Sequence, residues 1–131
     1  MPDASTSIGG EQLRASLDAV ADAAETNARV DRMIVRKARA VSRRLAAGRP
    51  HREAVEAGGR PLLVELLRDN LERLYRVGSR LRRSECAALR AEGMSTEEIA
   101  ELFGVSRQRV SRLLREARTT RPNDTARDDT A

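Results

Sequence analysis

Apolar residues along this chain recur at spacings of three and four, and nowhere alternate with polar ones over the length of a strand. The pattern therefore predicts helices throughout and no sheet. From Glu11 onward, Leu13, Leu17, Val20, Ala24 and Asn27 follow at four, three, four and three; Ile34, Ala38, Val41 and Leu45 resume a similar line. Nothing breaks the helix before Gly48 and Pro50, and a helix of more than thirty residues suits a coiled-coil-like seam. A bend near the weak helix formers Thr26 and Asn27 would make it two helices instead. Gly48 to Pro61 is a punctuated connector with room for one short helix, about Pro50 to Ala57, and Pro61 suits the first turn of the helix that follows. In that helix Leu63, Leu67, Leu71, Leu74 and Val77 line one side and Leu62 and Leu66 broaden it. Such a stripe is too wide to face solvent, so it should pack on the first helix, on a sister chain, or on both. Asn27 and Asn70 stand near these seams, either setting register between paired helices or lying at the seam's edge.

Gly78 and Ser79 mark a further break, after which Ser84 is a candidate cap and Ala87, Ala88, Leu89 and Ala91 offer a small-residue platform. The stretch from Ser95 to Arg118 then reads as two short helices around a tight turn. Ser95 with Glu98 makes a capping box, so a helix starts at Thr96. Ile99, Ala100 and Phe103 mark its buried face, Gly104 supplies the positive φ of a turn, and Val105 plugs that turn. Ser106 caps the next helix, whose Val110, Leu113 and Leu114 point inward, leaving Arg107, Gln108, Ser111, Arg112 and Arg115 outside. Counted from Thr96, a small residue at the fifth position, glycine at the ninth, and aliphatics at the fifteenth and eighteenth match a helix-turn-helix.

The resulting fold class is all-α: a long N-terminal helical hairpin or coiled-coil-like segment followed by a three-helix helix-turn-helix unit. The division expected is an unstructured arm over 1–10, a helical dimerisation or interaction region over 11–78, a DNA-binding unit over 79–119, and an unstructured tail over 120–131. No apolar run is long enough for a membrane span, and the first ten residues have neither the basic start nor the apolar block of a signal peptide. A single cysteine excludes an internal disulfide and fits a reducing cytoplasm.

Charge sharpens the picture. The formal balance is +5, and 24 of the 25 basic residues are arginine, which binds phosphate and guanine in bidentate fashion. Codon bias in a GC-rich genome is the alternative source of the same excess. The first helix is acidic at its start (Glu11, Asp18, Asp22, Glu25), whereas Arg29, Arg32, Arg36, Arg39 and Arg43 form a basic ridge in its second half. That ridge is either a second phosphate-contacting surface or a solvated face paired with Glu53, Glu56, Glu65, Asp69 and Glu72. In the C-terminal pair of helices, Glu97, Glu98 and Glu101 lie on the first, and Arg107, Arg109, Arg112, Arg115 and Arg118 on the second. This polarity turns the second helix toward a polyanion.

The segment LRRSECAALRAEGMSTEEIAELFGVSRQRVSRLLREAR resembles region 4 of bacterial sigma factors and the DNA-binding domain at the C-terminus of many two-component response regulators. The resemblance covers Leu81 to about Arg118. It implies a three-helix unit in which Arg107, Gln108, Ser111 and Arg112 read base edges while Ser106, Arg109 and Arg115 contact phosphate. Two departures matter. With Tyr75 and Phe103 as the only aromatics, the chain lacks the promoter-melting region of a sigma factor. Pro122 and the polar tail leave no room for a fourth, dimerising helix, so a dimer would be held by residues 11–77.

No catalytic constellation is recognised. His51 and Cys86 are the only soft metal ligands, Cys86 lies among alanines as a packing residue, and Gly9-Gly10 and Gly58-Gly59 read as linker glycines rather than a phosphate loop. No cofactor, metal or enzymatic activity is implied, and the N-terminal helices show no ligand-pocket signature. The expectation is a cytoplasmic, sequence-specific transcriptional regulator that binds double-stranded DNA as a homodimer. The alternatives are an interaction module that binds RNA polymerase or another regulator, and a nucleoid-type binder that coats DNA through its arginines.

Overall fold

The computed structural model describes residues 4–119, with side chains from residue 9 onward; the expected C-terminal tail lies outside the described residues. Among them are five α-helices and no strand: α1 (Ala4–Ala46), α2 (His51–Glu56), α3 (Leu63–Ala91), α4 (Thr96–Phe103) and α5 (Arg107–Thr119). Among the described residues no helix is long and apolar enough to cross a membrane.

Helix α1 is unbroken through Thr26 and Asn27, and it starts at Ala4 rather than after a ten-residue arm. Gly9 and Gly10 are helical despite a penalty of roughly 1 kcal/mol each. Packing supplies the compensation, as most helical stability does: a Cβ on Gly9 would stand 3.9 Å from the Cα of Ala88. The break expected at Gly78-Ser79 is also absent, because α3 runs on from Leu63 to Ala91. Ser84 is therefore no cap. It lies inside α3, with its hydroxyl oxygen 2.6 Å from that of Ser16, which is fully buried. Pro61 stands two residues ahead of α3 rather than in its first turn.

The chain divides into two compact units whose boundaries fall inside helices: the described parts of Met1–Asp18 and Gly78–Ala131 form one, Ala19–Val77 the other. The start of α1 thus belongs with the C-terminal helices and not, as expected, with a separate region over 11–78.

In the Ala19–Val77 unit, α1 and α3 are registered by polar side chains. Asn27 donates its Nδ2 to the Asn70 carbonyl at 3.1 Å, and Asn70 donates its own to Asp31 Oδ1 at 2.9 Å. Arg73 donates to the side-chain oxygens of both asparagines, at 2.6 and 3.1 Å. Asp31 meets Asn70 while Asn27 meets Arg73, so the helices run antiparallel. Both asparagines are buried, and no buried polar side-chain atom among the described residues lacks a partner. Of the two roles open to them, they take the register role.

The leucine stripe behaves differently from expectation. Leu66 is buried and Leu63 and Val77 partly so, yet Leu67, Leu71 and Leu74 stay exposed, as do Val64 and Tyr75; Leu71 is 69% and Tyr75 73% accessible. On α1, Ser16, Ala23 and Asn27 are the buried positions, while Leu17 and Ala24 are exposed. Within the Ala19–Val77 unit, the small and polar groups of Ala23 and Asn27 are the buried ones on α1, and Leu67, Leu71 and Leu74 of α3 lie to the side.

Helix α2 is tied back to α1 by cations: Lys37 donates to the carbonyls of Gly58 and Gly59 (3.5 and 3.2 Å) and Arg44 to that of Ala54 (3.2 Å). The acids expected to neutralise the α1 ridge have closer partners. Glu53 pairs with Arg49 and Glu56 with Arg52, both at 3.0 Å and four residues apart, and Glu65 pairs with Arg60. Neighbours in sequence lose less entropy in pairing than partners on another helix, and among the described residues the ridge has no ion-pair partner.

The asparagine network predicts a coupled response. Asn70→Ala should lower unfolding stability by about 1–2 kcal/mol in urea titration, because it removes the donor to Asp31 and one of the two acceptors of Arg73 at a buried position. The Asn27→Ala, Asn70→Ala double variant should lose less than the sum of the two single changes.

Candidate nucleic-acid interface

Helices α4 and α5 are too short to persist alone, and they are held by a core in which Cys86 of α3, Ile99 of α4 and Val110 of α5 are wholly buried. Ala100 completes it, with Leu89, Met94, Val105, Leu113 and Leu114 packed around. Three helices thus each place one or two side chains at a common centre. Phe103 is the departure from the sequence pattern: at the last residue of α4 it sits on the rim, 36% accessible. Burial pushes the Cys86 thiol up, with the Glu85 charge adding to the effect. A thiol held protonated among aliphatics packs rather than reacts.

The two turns that aim the helices use one device. Gly93 adopts φ 103° and Gly104 φ 65°, and each is followed by an amide that reaches back five residues, Met94 to the Leu89 carbonyl and Val105 to the Ala100 carbonyl, both near 3.1 Å or below. This six-to-one bond over a left-handed glycine satisfies the last carbonyls of the outgoing helix and reverses the chain. Serines open the next helix each time. Ser95 Oγ accepts the Glu98 amide at 3.1 Å while Glu98 Oε1 accepts the Ser95 amide at 3.1 Å, closing the capping box. Ser106 Oγ accepts the Arg109 amide at 3.1 Å.

With Val110, Leu113 and Leu114 turned inward, the remaining faces of α5 are open. Ser106, Arg107, Gln108, Arg109, Ser111, Arg112 and Arg115 are all exposed and line one shallow polar depression. At 100° per residue, Gln108, Ser111, Arg112 and Arg115 share the outward side, and Arg107 and Arg109 fall on opposite flanks. No acidic side chain lines the depression.

One contact was not legible in the sequence. Arg107 donates to Glu97 Oε1 at 3.1 Å across the turn, between two exposed side chains ten residues apart. The signal was only that an acidic α4 precedes a basic α5; which pair meets depends on the angle set by Gly104. Among the described residues no other side chain facing this depression is held in an ion pair.

Residues 78–125 match the family model of a homeodomain-like domain. The match supports a DNA-binding helix-turn-helix in the C-terminal part of the chain, but not sigma-factor region 4 in particular, and it spans less than half of the sequence. No curated protein and no solved structure matches the chain.

The capping box makes the unit acid-sensitive. The Ser95 amide, with the Ser95 hydroxyl adding to it, holds the Glu98 carboxyl below the ordinary glutamate range. A carboxyl depressed in the folded state contributes fully above its unfolded value, and that contribution disappears as pH falls through the folded value. Thermal unfolding followed between neutral pH and about pH 3 should therefore show a steeper acid loss for the native protein than for Glu98→Gln, whose amide oxygen caps without titrating.

Proposed function

We propose that the protein is a sequence-specific transcriptional regulator that lays α5 in the major groove of double-stranded DNA and acts as a homodimer. The observation that carries the reading is the open face formed by Ser106 and six polar or cationic residues of α5, no acid among them, on the second helix of a helix-turn-helix. In this reading Arg107, Gln108, Ser111 and Arg112 contact base edges, Arg and Gln by the bidentate geometries that suit guanine and adenine. Arg109 on the flank and Arg115 a turn beyond contact phosphate. Ser106 does so too, since its oxygen accepts the Arg109 amide and its O–H remains to donate. Arg107 leaves Glu97 when DNA arrives. The homodimer is supported by the exposed Val64–Tyr75 side of α3, an apolar surface unusual for a monomer. The reading makes the protein a cytoplasmic binder without cofactor or catalytic step.

The unneutralised ridge Arg29–Arg43 favours a second reading, in which the protein coats DNA without regard to sequence. Selection from random duplexes with the full chain separates the two. A regulator enriches an inverted repeat, and Gln108→Ala and Arg112→Ala each weaken the selected site by about ten-fold while leaving random DNA little affected. Equal affinity for all sequences, most sensitive to changes at Arg32 and Arg36, would overturn the reading.

The ion pair on the flank gives an opposite sign. Glu97→Gln should raise affinity for the selected site about two- to five-fold at low salt, since it removes the intramolecular competitor for Arg107. The gain should vanish in an Arg107→Ala background, as measured by fluorescence anisotropy.

A further inference from the structure

We propose that the open cleft lined by the second half of α1, the connector around α2 and the start of α3 binds an amphipathic anion, a carboxylate carried on an aliphatic chain. The cleft measures about 420 Å³, within the range of small-molecule sites, roughly 300–1,000 Å³. Its lining is chiefly aliphatic, with Val41, Val55, Leu62 and Leu63, and includes four cationic residues, Arg36, Lys37, Arg43 and Arg44. No acidic side chain lines it.

Among the described residues these four cations lack a counter-ion. Lys37 Nζ and an Arg44 guanidinium nitrogen converge on Gly58, 3.9 and 3.8 Å from where a Cβ would stand. Both are satisfied only by neutral carbonyls, those of Gly58 and Gly59 for Lys37 and of Ala54 for Arg44. The acids of the neighbouring segment are engaged elsewhere, Glu53, Glu56 and Glu65 by Arg49, Arg52 and Arg60. Among the described residues neither Arg36 nor Arg43 has an ion-pair partner. Like charges held together beside apolar walls repel in a medium of lowered dielectric, and an anion placed among them relieves the repulsion. A free phosphate would meet the cations but leave the aliphatic walls wet, and an uncharged hydrocarbon would fill the walls but leave the cations unpaired. A fatty carboxylate does both. The site lies wholly within the Ala19–Val77 unit, so it stands whether or not α5 reads DNA.

The test is titration of the full chain with decanoate, below the concentration at which it forms micelles, by calorimetry and thermal shift. Decanol, decylammonium and inorganic phosphate serve as comparisons. Decanoate should bind saturably with one site per chain and raise Tm, and each comparison should bind about ten-fold more weakly or worse. The Arg36→Gln, Arg43→Gln double variant, at two exposed positions, should weaken decanoate by about ten-fold with an unchanged helical circular dichroism spectrum. Ala40→Leu, which fills the cleft from its wall, should abolish binding in a protein that is still folded. Equal affinity for decanol and decanoate would overturn the proposal, as would decanoate binding undiminished in both variants or the absence of saturable binding.

Discussion

The wholly buried side chains Cys86, Ile99 and Val110 at the C-terminal core are the constraint on which the helix-turn-helix unit depends. A helix of eight residues such as α4 has no stability of its own, and α5 with five arginines repels itself along its length. Both persist because each delivers an aliphatic residue to a centre that α3 supplies with Cys86 and Leu89. Two left-handed glycines, Gly93 and Gly104, fix the angles at which the three helices arrive. The outward direction of Gln108, Ser111, Arg112 and Arg115 is therefore a consequence of where Val110 must point. Binding chemistry and core packing are two faces of one short helix.

The other unit is organised on a different principle. Its helices α1 and α3 are held in register by Asn27, Asn70, Asp31 and Arg73 rather than by a continuous aliphatic seam. A satisfied polar network admits one register, whereas leucines tolerate several. The consequence is a surplus: Val64, Leu67, Leu71, Leu74 and Tyr75 are not used inside the chain and form an apolar side of α3. The same economy appears in the charges. Short-range arginine–glutamate pairs occupy the acids around α2, so the basic half of α1 keeps its field and Lys37 and Arg44 turn to backbone carbonyls.

How far each feature was legible follows from the range of the interactions behind it. The capping box at Ser95, the turn at Gly104, the Ser106 cap and the inward set Ile99, Ala100 and Val110 depend on residues within one or two turns, and all stand as read. The outward set Arg107, Gln108, Ser111, Arg112 and Arg115 follows by subtraction. Long-range contacts misled the reading. Gly9, Gly10 and Gly78 looked like breaks because glycine weakens an isolated helix, but packing of α1 on α3 near Ala88 and Ser84 carries both helices through. The leucine stripe looked internal because its partner line on α1 could not be known to be small and polar.

By itself, then, the sequence determined helices α4 and α5, their caps at Ser95 and Ser106, the inward and outward faces of α5, and the opposed charges of the pair, since all of these are local properties of 3.6-residue periodicity and turn chemistry. Only the tertiary structure decided that Arg107 meets Glu97, that Asn27 and Asn70 lock the hairpin, that α3 leaves its leucines outside, and that four cationic residues line one apolar cleft. Each of those depends on which side chains distant in sequence arrive within a few ångströms of one another. That distance is set by how helices pack, and no spacing along a single chain encodes it directly.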